Sequence, residues 1–559
     1  MKKKTAVSLA ALGALTAAAA AGIIVAKKKK QKQLPSREHK SLTPKRNIYI
    51  AGGGISALAC AYYLIRDCGV SGENIHIFEG SSTLGGAYNV GGNMNDGYIC
   101  TPPKLISRKG NPNLLDMLKD LKSALIPNMS VYDEIREFSD THPIYENMRL
   151  ADENGKAEQS LSRKALKNIK SLLGTKSEDL SEMSVEDYFA DCPDFLDSSL
   201  WYIISSLHIL KPASSVLELK NILGSMSEDI SGLYTMDNFI RPQYNMQETI
   251  IHPLIKYLDS HQTDITTGCT VTDVDFEEGS SRISAIHLYD NGTAKTIYLN
   301  KNDLCFITNG SVSECAVIGD INTPPADESI SPTASALWEK MSQKRSGFGC
   351  PDNFSHSGGE ILTFAVTAKS SLLYDCINEF TSNDNMCGCF TTFKNSPWGL
   401  TLASVPQPYF TDQSDDIYVI CGFCTTPEKN GKYINKSASQ ATGGEILSEL
   451  ISLMGMDEMQ EDIFADTVNV IPCLMPFAAS AVMPRGEKDK PEIIPDSRSN
   501  FAFIGQFANL CGGISSGSEY AVRSAREAAY RLTDTKKPVA MPKKISFAAY
   551  IKLMRALKS

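Results

Sequence analysis

The chain has 559 residues, 42% hydrophobic and 21% charged, an ordinary globular composition but far more chain than one hydrophobic core organises. Its net charge of -9 is uneven: residues 1–46 hold twelve Lys/Arg and one acid, Glu38, so that segment stands at +11 and the rest at -20. A body that acidic argues against nucleic acid as a partner, and fifteen scattered cysteines without paired zinc spacing argue against a disulfide scaffold and suit a reducing compartment.

Taken in order, Thr5 to Ala26 is an uncharged stretch of 22 residues between Lys2–Lys4 and Lys27–Lys30. At helical rise it is long enough to cross a hydrocarbon core, and a single membrane anchor over 5–26 is expected, with the body on the cytoplasmic side because more lysines follow the stretch than precede it. A cleaved signal peptide and an Ala-rich surface helix are the alternatives. Gln31 to Lys45 reads as a tether.

Asn47 to Ala51 is a short β-branched strand that stops at Gly52-Gly53-Gly54-Ile55-Ser56-Ala57, after which Leu58 to Arg66 has helical spacing. Gly52 permits the turn, Gly54 allows a pyrophosphate to approach the backbone, and Ala57 lets the helix pack on the strand. Asn74 to Glu79 is a second strand that ends in an acid, placed to accept from a ribose hydroxyl. An unliganded βαβ turn is the bland alternative. The loop Gly80 to Gly92, with Gly85-Gly86, is expected to wrap the phosphates of the same dinucleotide.

Helical patterning follows at Asn113–Leu125, Leu161–Leu173, Val185–Phe195 and Trp201–Ile209. The period then changes to two. Cys269–Phe276, Arg282–Tyr289 and Thr296–Leu299, with the turn Asp290-Asn291-Gly292, form a predicted meander. Asp303 to Gly310 returns as a strand ending in Asn309-Gly310. Strand-like runs at Ile361–Thr367 and Asp416–Gly422 suggest a substrate-side sheet. Cys421-Gly-Phe-Cys424 lies in the latter run and reads as unpaired strand cysteines, as does Cys387-Gly-Cys389. Asn500 to Gly505 with Gln506, then a helix over Ser518–Leu532 with Glu519 and Arg523 as an i, i+4 pair, would complete the nucleotide site from the far end of the chain.

The fold class is therefore α/β: a discontinuous Rossmann-type dinucleotide domain with an inserted β-rich substrate domain and helical segments. The divisions are 1–46 anchor and tether, 47–110 first nucleotide-binding part, 111–260 helical and substrate region, 261–325 meander and return, 326–470 substrate-side β-rich region, 471–535 last nucleotide-binding part, and 536–559 basic amphipathic tail. That tail would lie on an anionic membrane or pack on the body. No metal is expected, since His208, His252 and the other histidines are dispersed, and no G-x-S-x-G context supports a hydrolase.

Several stretches carry a family likeness: Asn74–Glu79, Met183–Phe189, Gln243–Asn245 leading into Ile250–Leu258, Val271–Phe276, Ile307–Ser311, Gly319–Pro324, Pro472–Phe477, Met483–Arg485 and Asn500–Ala508 with Glu519-Tyr520. Over Asn47–Leu532 the chain resembles the oleate hydratases, or myosin-cross-reactive antigens, which bind FAD and add water to a cis double bond of long-chain fatty acids. The resemblance implies FAD held by Gly52, Gly54, Ala57, Glu79, Gly85, Gly86, Asn309, Gly310, Gly505 and Gln506, and a long-chain unsaturated fatty acid as substrate. Membrane lipid and a second copy of the chain are further candidate partners. Tyr244 is the implied proton donor, with a half-buried packing role as its alternative, and Glu248 a candidate to activate water.

Departures fall where chemistry is expected. The family's Arg-Gly-Gly-Arg and following acid correspond to Thr101-Pro102-Pro103-Lys104-Leu105, so the usual carboxylate is absent at Leu105. Ala403, Val405 and Tyr409 stand where the family has Thr, Asn and His around the fatty acid carboxylate, which leaves Ser404, Gln407 and Tyr409 as head-group candidates. A fatty acid hydratase is the leading expectation. A flavin-dependent lipid double-bond isomerase or oxidoreductase, and a non-catalytic FAD- and lipid-binding membrane protein, are the alternatives.

Overall fold

A computed structural model describes residues 46–556 apart from 102, 145–147, 227–235, 326–332, 355–357, 384–385, 389, 487 and 543–546. The expected membrane segment at 5–26 lies outside the described residues. Among the described residues no helix is long and apolar enough to cross a membrane.

The first sheet is parallel, with strand order Phe501–Ile504, Leu304–Thr308, Ile48–Ala51, Ile75–Glu79 and Asp264–Thr267. Apart from the local pair Ile48–Ala51 and Ile75–Glu79, neighbouring strands come from distant parts of the chain, as a discontinuous nucleotide domain requires. Helix Ile55–Arg66 covers this sheet, with Ala57 to Leu64 buried throughout. Helix Ser518–Leu532 packs beside it, and Arg526 stacks its guanidinium over the Tyr63 ring at 4.8 Å. Each fully buried Ile, Leu or Phe in this core contributes roughly 1.5–3 kcal/mol, so the two helices are held mainly by their apolar faces.

The meander appears as Cys269–Phe276, Ile283–Asp290 and Thr293–Tyr298, all antiparallel. Asn291 and Gly292 both have positive φ, 45° and 86°, as the two-residue hairpin demands. The second sheet has eight strands, in the order Val317–Ile318, Thr467–Met475, Ile361–Ala368, Tyr418–Cys424, Leu400–Ala403, Phe390–Phe393, Leu150–Asp152 and Gly155–Lys156. Strand Ile361–Ala368 is buried along its whole length because Ile361 and Ala365 face one core while Leu362, Phe364 and Val366 face another. Cys421 and Cys424 sit in this sheet as buried free thiols.

The helical region differs in detail from its pattern. Ser184 and Asp187 form a capping box that starts a helix at Val185, but the helix ends at Tyr188 and only a separate turn, Pro193–Phe195, follows. Pro193 has no amide proton to continue a ladder and holds Cys192 out of the helical region. At the C-terminus, helix Phe547–Ala556 places Leu553 wholly within the core beside the eight-stranded sheet, so that side chain packs on the body.

Candidate functional site

The nucleotide cradle is built from chain turns at the ends of the parallel strands. Gly52 has φ of 107°, and a Cβ there would stand 2.2 Å from Thr308 Oγ1, so only glycine fits between the two strand ends. Gly54 opens the following helix without a side-chain cap, and a Cβ on it would meet nothing closer than Gly86 Cα at 3.9 Å. The first amides of the helix are left for an anion. Glu79 accepts from the Gly53 amide at 2.5 Å and the Ser81 amide at 2.8 Å, which ties the acid at the second strand end to the glycine turn.

The Gly85 amide donates to Gly53 O at 3.0 Å, bringing the Gly85-Gly86 loop against the first turn. Ala57 is buried in the helix–sheet contact. From the other side come Asn309 and Gly310, past strand Leu304–Thr308, and Gly505 with the half-buried Gln506, past strand Phe501–Ile504. Asn309 is 2% exposed, yet neither its Nδ2 nor its Oδ1 has a partner. A buried amide with both atoms unsatisfied is costly unless a ligand meets it. The open glycine turn, the uncapped helix start and this orphaned amide together fit a bound dinucleotide.

Next to the cradle lies a cavity of about 320 Å³. Its walls come from Ala87 after the glycine loop, from Thr101, Pro103, Lys104 and Leu105, and from the N-terminus of helix Ser518–Leu532. The apolar share is large, but Lys104, Lys109, His208, Glu519, Tyr520 and Arg523 also line it, and four of them define its electrostatics. His208 is half-buried, its Nε2 enclosed and unpartnered among the described residues, and desolvation pushes its pKa down to about 4, so the ring is neutral near pH 7. Glu519 accepts from Asn113 Nδ2 at 2.6 Å, from the Asn113 amide at 3.2 Å and from the Leu114 amide at 2.8 Å, while burial pushes its carboxyl up to about 7.

Arg523, 1% exposed, donates from Nη2 to Gly512 O at 2.5 Å and leaves Nε and Nη1 without partners. The i, i+4 pair between Glu519 and Arg523 therefore does not form. Glu519 is taken by the first turn of helix Pro112–Asp120 and Arg523 by the Gly512 carbonyl. Lys104 is the fourth group: its Nζ lies 5.4 Å from the centre of the Tyr88 ring, and burial lowers its pKa to about 8. The Tyr88 hydroxyl in turn bonds Ser518 Oγ at the start of the helix.

Beneath the cavity is a buried charge cluster. Glu218, on helix Val216–Ser225, pairs with Arg485 and accepts from Ser515 Oγ at 2.7 Å, and Lys490 Nζ donates to the same Ser515 at 2.9 Å. Arg485 and Lys490 hold the Glu218 carboxyl below the usual range despite full burial. The cluster fastens the helical region to the loop Gly512–Gly517 that shapes the cavity wall.

A second, smaller void of about 20 Å³ is lined by Lys104, Leu105, Arg241, Tyr244, Ser404 and Tyr409, among others. Lys104 and Leu105 are common to both spaces. Tyr244, Ser404 and Tyr409 thus come together at one place from distant parts of the chain. Arg241 is spent on the carbonyls of Gly388, Ser404 and Met386, which pins the strand of Ser404 in position.

Glu248 and Gln407 are placed elsewhere. The Glu248 carboxylate accepts from the Thr411 amide at 3.1 Å and Thr411 Oγ1 at 2.9 Å and lines neither space. Gln407 bonds the Val419 carbonyl at 2.7 Å and Gln413 Nε2 at 2.7 Å, closing a loop onto strand Tyr418–Cys424. The groups that sequence reading passed over are Lys104, His208, Arg523 and the acid role of Glu519. A single lysine after two prolines was the only local signal. Among the described residues, no group of three or more His, Cys, Asp or Glu is arranged to hold a metal ion.

Four likenesses to known proteins were found. The MCRA family model matches residues 45–530. An oleate hydratase of Streptococcus pyogenes serotype M49 (strain NZ131) is 27% identical over 504 residues, covering 87% of this chain and 85% of its own. A linoleate hydratase of Lactiplantibacillus plantarum is 26% identical over 534 residues, covering 87% and 93%. Among solved structures, cyclohexylamine oxidase from Brevibacterium oxydans IH-35A superposes with a TM-score of 0.53 at 13% identity, over 88% of this chain and 99% of that one, a likeness of fold alone.

Proposed function

The chain belongs to the MCRA family, and from that premise we propose that it is an FAD-dependent hydratase of long-chain unsaturated fatty acids. The observation that carries the reading is the match over 45–530 to a family whose curated relatives are oleate and linoleate hydratases. The cradle supports it: Gly52, Gly54, Glu79, Gly85, Gly86, Asn309, Gly310 and Gly505 would hold FAD, with Gln506 at its edge. When bound, reduced FAD supplies a polarising ring surface, and hydration moves no net electrons.

The chain's own groups do the rest. The largely apolar cavity suits an alkyl chain. Tyr244, on the wall of the smaller void, would give its phenolic proton to one alkene carbon. Its pKa is raised by burial and by the nearby Glu248 and Glu134 carboxylates, which keeps the proton in place until the alkene accepts it. Ser404 and Tyr409 border the same void and would present hydroxyls to the substrate.

A second reading has a specific observation behind it. With Leu105 in place of the family's acid and Ala403 and Val405 in place of polar residues, a flavin-dependent double-bond isomerase would use the same cavity. The division of the chain into seven segments, the attachment of residues 5–26 to a membrane, and pairing of two copies belong to this proposal as well. The test is incubation of the FAD-reconstituted, reduced protein with a mixture of cis-unsaturated fatty acids in oxygen-18 water, read by mass spectrometry. Gain of one labelled water supports hydration. An unchanged mass with a moved double bond supports isomerisation, and a bound flavin with no substrate consumed overturns both.

A further inference from the structure

The small void joins two groups whose polar ends have no protein partner. Lys104 Nζ makes no hydrogen bond or ion pair among the described residues, its contact being the face of Tyr88 at 5.4 Å. The Tyr244 hydroxyl also bonds nothing among the described residues, although both side chains border the same space. At about 20 Å³ that space accepts one water molecule, and its polar rim, with Ser404 and Tyr409, supplies the partners such a water needs. Lys104 also borders the larger cavity, so a water held at its amine lies beside the space in which an alkyl chain would run.

We propose that Lys104 is the general base of this chain, taking the role left empty by Leu105: its amine accepts a proton from the water that attacks the alkene. The proposal rests on the hydratase reading above. In the step, the Tyr244 O–H bond breaks and its proton goes to one alkene carbon. The water oxygen bonds to the other carbon while one water proton passes to Lys104 Nζ. The ammonium then returns that proton to the Tyr244 phenolate across the void, which restores both groups, and no electrons change hands.

The surroundings support a neutral amine. Across the small void stand Tyr244, Tyr409 and Arg241, and under the amine is Tyr88. On the side of the larger cavity are Lys109, His208, Glu519, Tyr520 and Arg523. Only Glu519 is acidic, and it is occupied by Asn113 and Leu114. Burial without an acidic partner lowers the Lys104 pKa to about 8, the range in which a general base is effective near neutral pH.

The test compares the FAD-loaded parent with Lys104→Met, Lys104→Arg and Lys104→Met/Leu105→Glu. It reads hydroxy fatty acid formation against pH, and flavin absorbance with thermal melting as the check on folding. The parent rate is expected to rise with pH through a limb near pH 8. Lys104→Met and Lys104→Arg are expected to lose about 100-fold or more in kcat while keeping flavin, since a guanidinium stays charged. The double variant is expected to recover turnover with its limb moved to the carboxylate range.

Activity of Lys104→Arg or Lys104→Met within a few-fold of the parent, with the same pH profile, overturns the proposal. A parent profile flat around pH 8 does so without any variant, which covers the case in which a substitution spoils folding. A parent that hydrates nothing overturns the reading on which the proposal rests, an outcome distinct from both.

Discussion

The nucleotide cradle and the cavity beside it are built by opposite means. In the cradle, recognition is carried by backbone: Gly52, Gly54 and Gly85-Gly86 shape it, and Glu79 is locked to the Gly53 amide within one βαβ unit. Beside it, recognition is carried by side chains: Lys104, on the cavity wall, meets Tyr244, Ser404 and Tyr409 at the smaller void from segments up to about three hundred residues apart. A cradle made of turns tolerates drift in most of its side chains because turn geometry survives it. A side-chain constellation changes chemistry with each replacement, and Leu105 and Lys104 show that change in adjacent positions.

The comparison breaks most readily at Tyr244. Tyr244→Phe is expected to lower hydration by about 10²–10⁴-fold, with flavin absorbance and melting temperature unchanged. A loss of flavin in that variant would mean that cradle and cavity are not separable. Next in size is Glu218→Leu, which leaves Arg485 and Lys490 buried without their acid and is expected to cost roughly 3–5 kcal/mol in urea unfolding. The loop at Gly512–Gly517 would loosen with it, so cavity and fold fail together.

On the cradle side, Gly52→Ala forces a Cβ to 2.2 Å from Thr308 Oγ1 at a φ of 107°. A loss of about 1–3 kcal/mol is expected, together with weaker flavin binding by titration of the apoprotein, while Tyr244 and Lys104 keep their places. If flavin affinity is untouched, the pyrophosphate does not lie on this turn.

A further effect is one of pH. Burial raises the Glu519 carboxyl from 4.5 to about 7, so between these values the folded chain keeps a proton that the unfolded chain releases. Stability from this group is present below 4.5 and is lost as pH rises toward about 7. Glu519→Gln should therefore flatten the fall in unfolding free energy between pH 5 and pH 8, measured by urea titration at each. An unchanged slope would show that the three donors on Glu519, and not its burial, set its charge.

Local patterns carried four of the five parallel strands, all but Asp264–Thr267, the meander with its Asn291-Gly292 turn, the helix over Ser518–Leu532 and the glycine cradle, because each depends on residues within a few positions of one another. The family likeness likewise was legible from short ordered stretches, and the match over 45–530 bears it out. The pairing of Glu519 with Arg523 was misread, since Glu519 is held by the first turn of helix Pro112–Asp120 and Arg523 by the Gly512 carbonyl, partners that only tertiary packing brings together. Gln407 and Glu248 stood in the right region of sequence, yet their polar ends close loops at Val419 and Thr411.

What the sequence determined by itself was therefore the cofactor half: strand, glycine turn, helix and terminal acid form a local unit whose backbone geometry follows from residue type. What only the tertiary structure decided was which side chains face the cavity. That depends on the register of an eight-stranded sheet and on the seating of helices far apart in the chain, and a side chain's partner is whichever group packing brings nearest. Lys104 acquires its meaning there, as an amine with no acid beside it, on the wall that it shares with Tyr244.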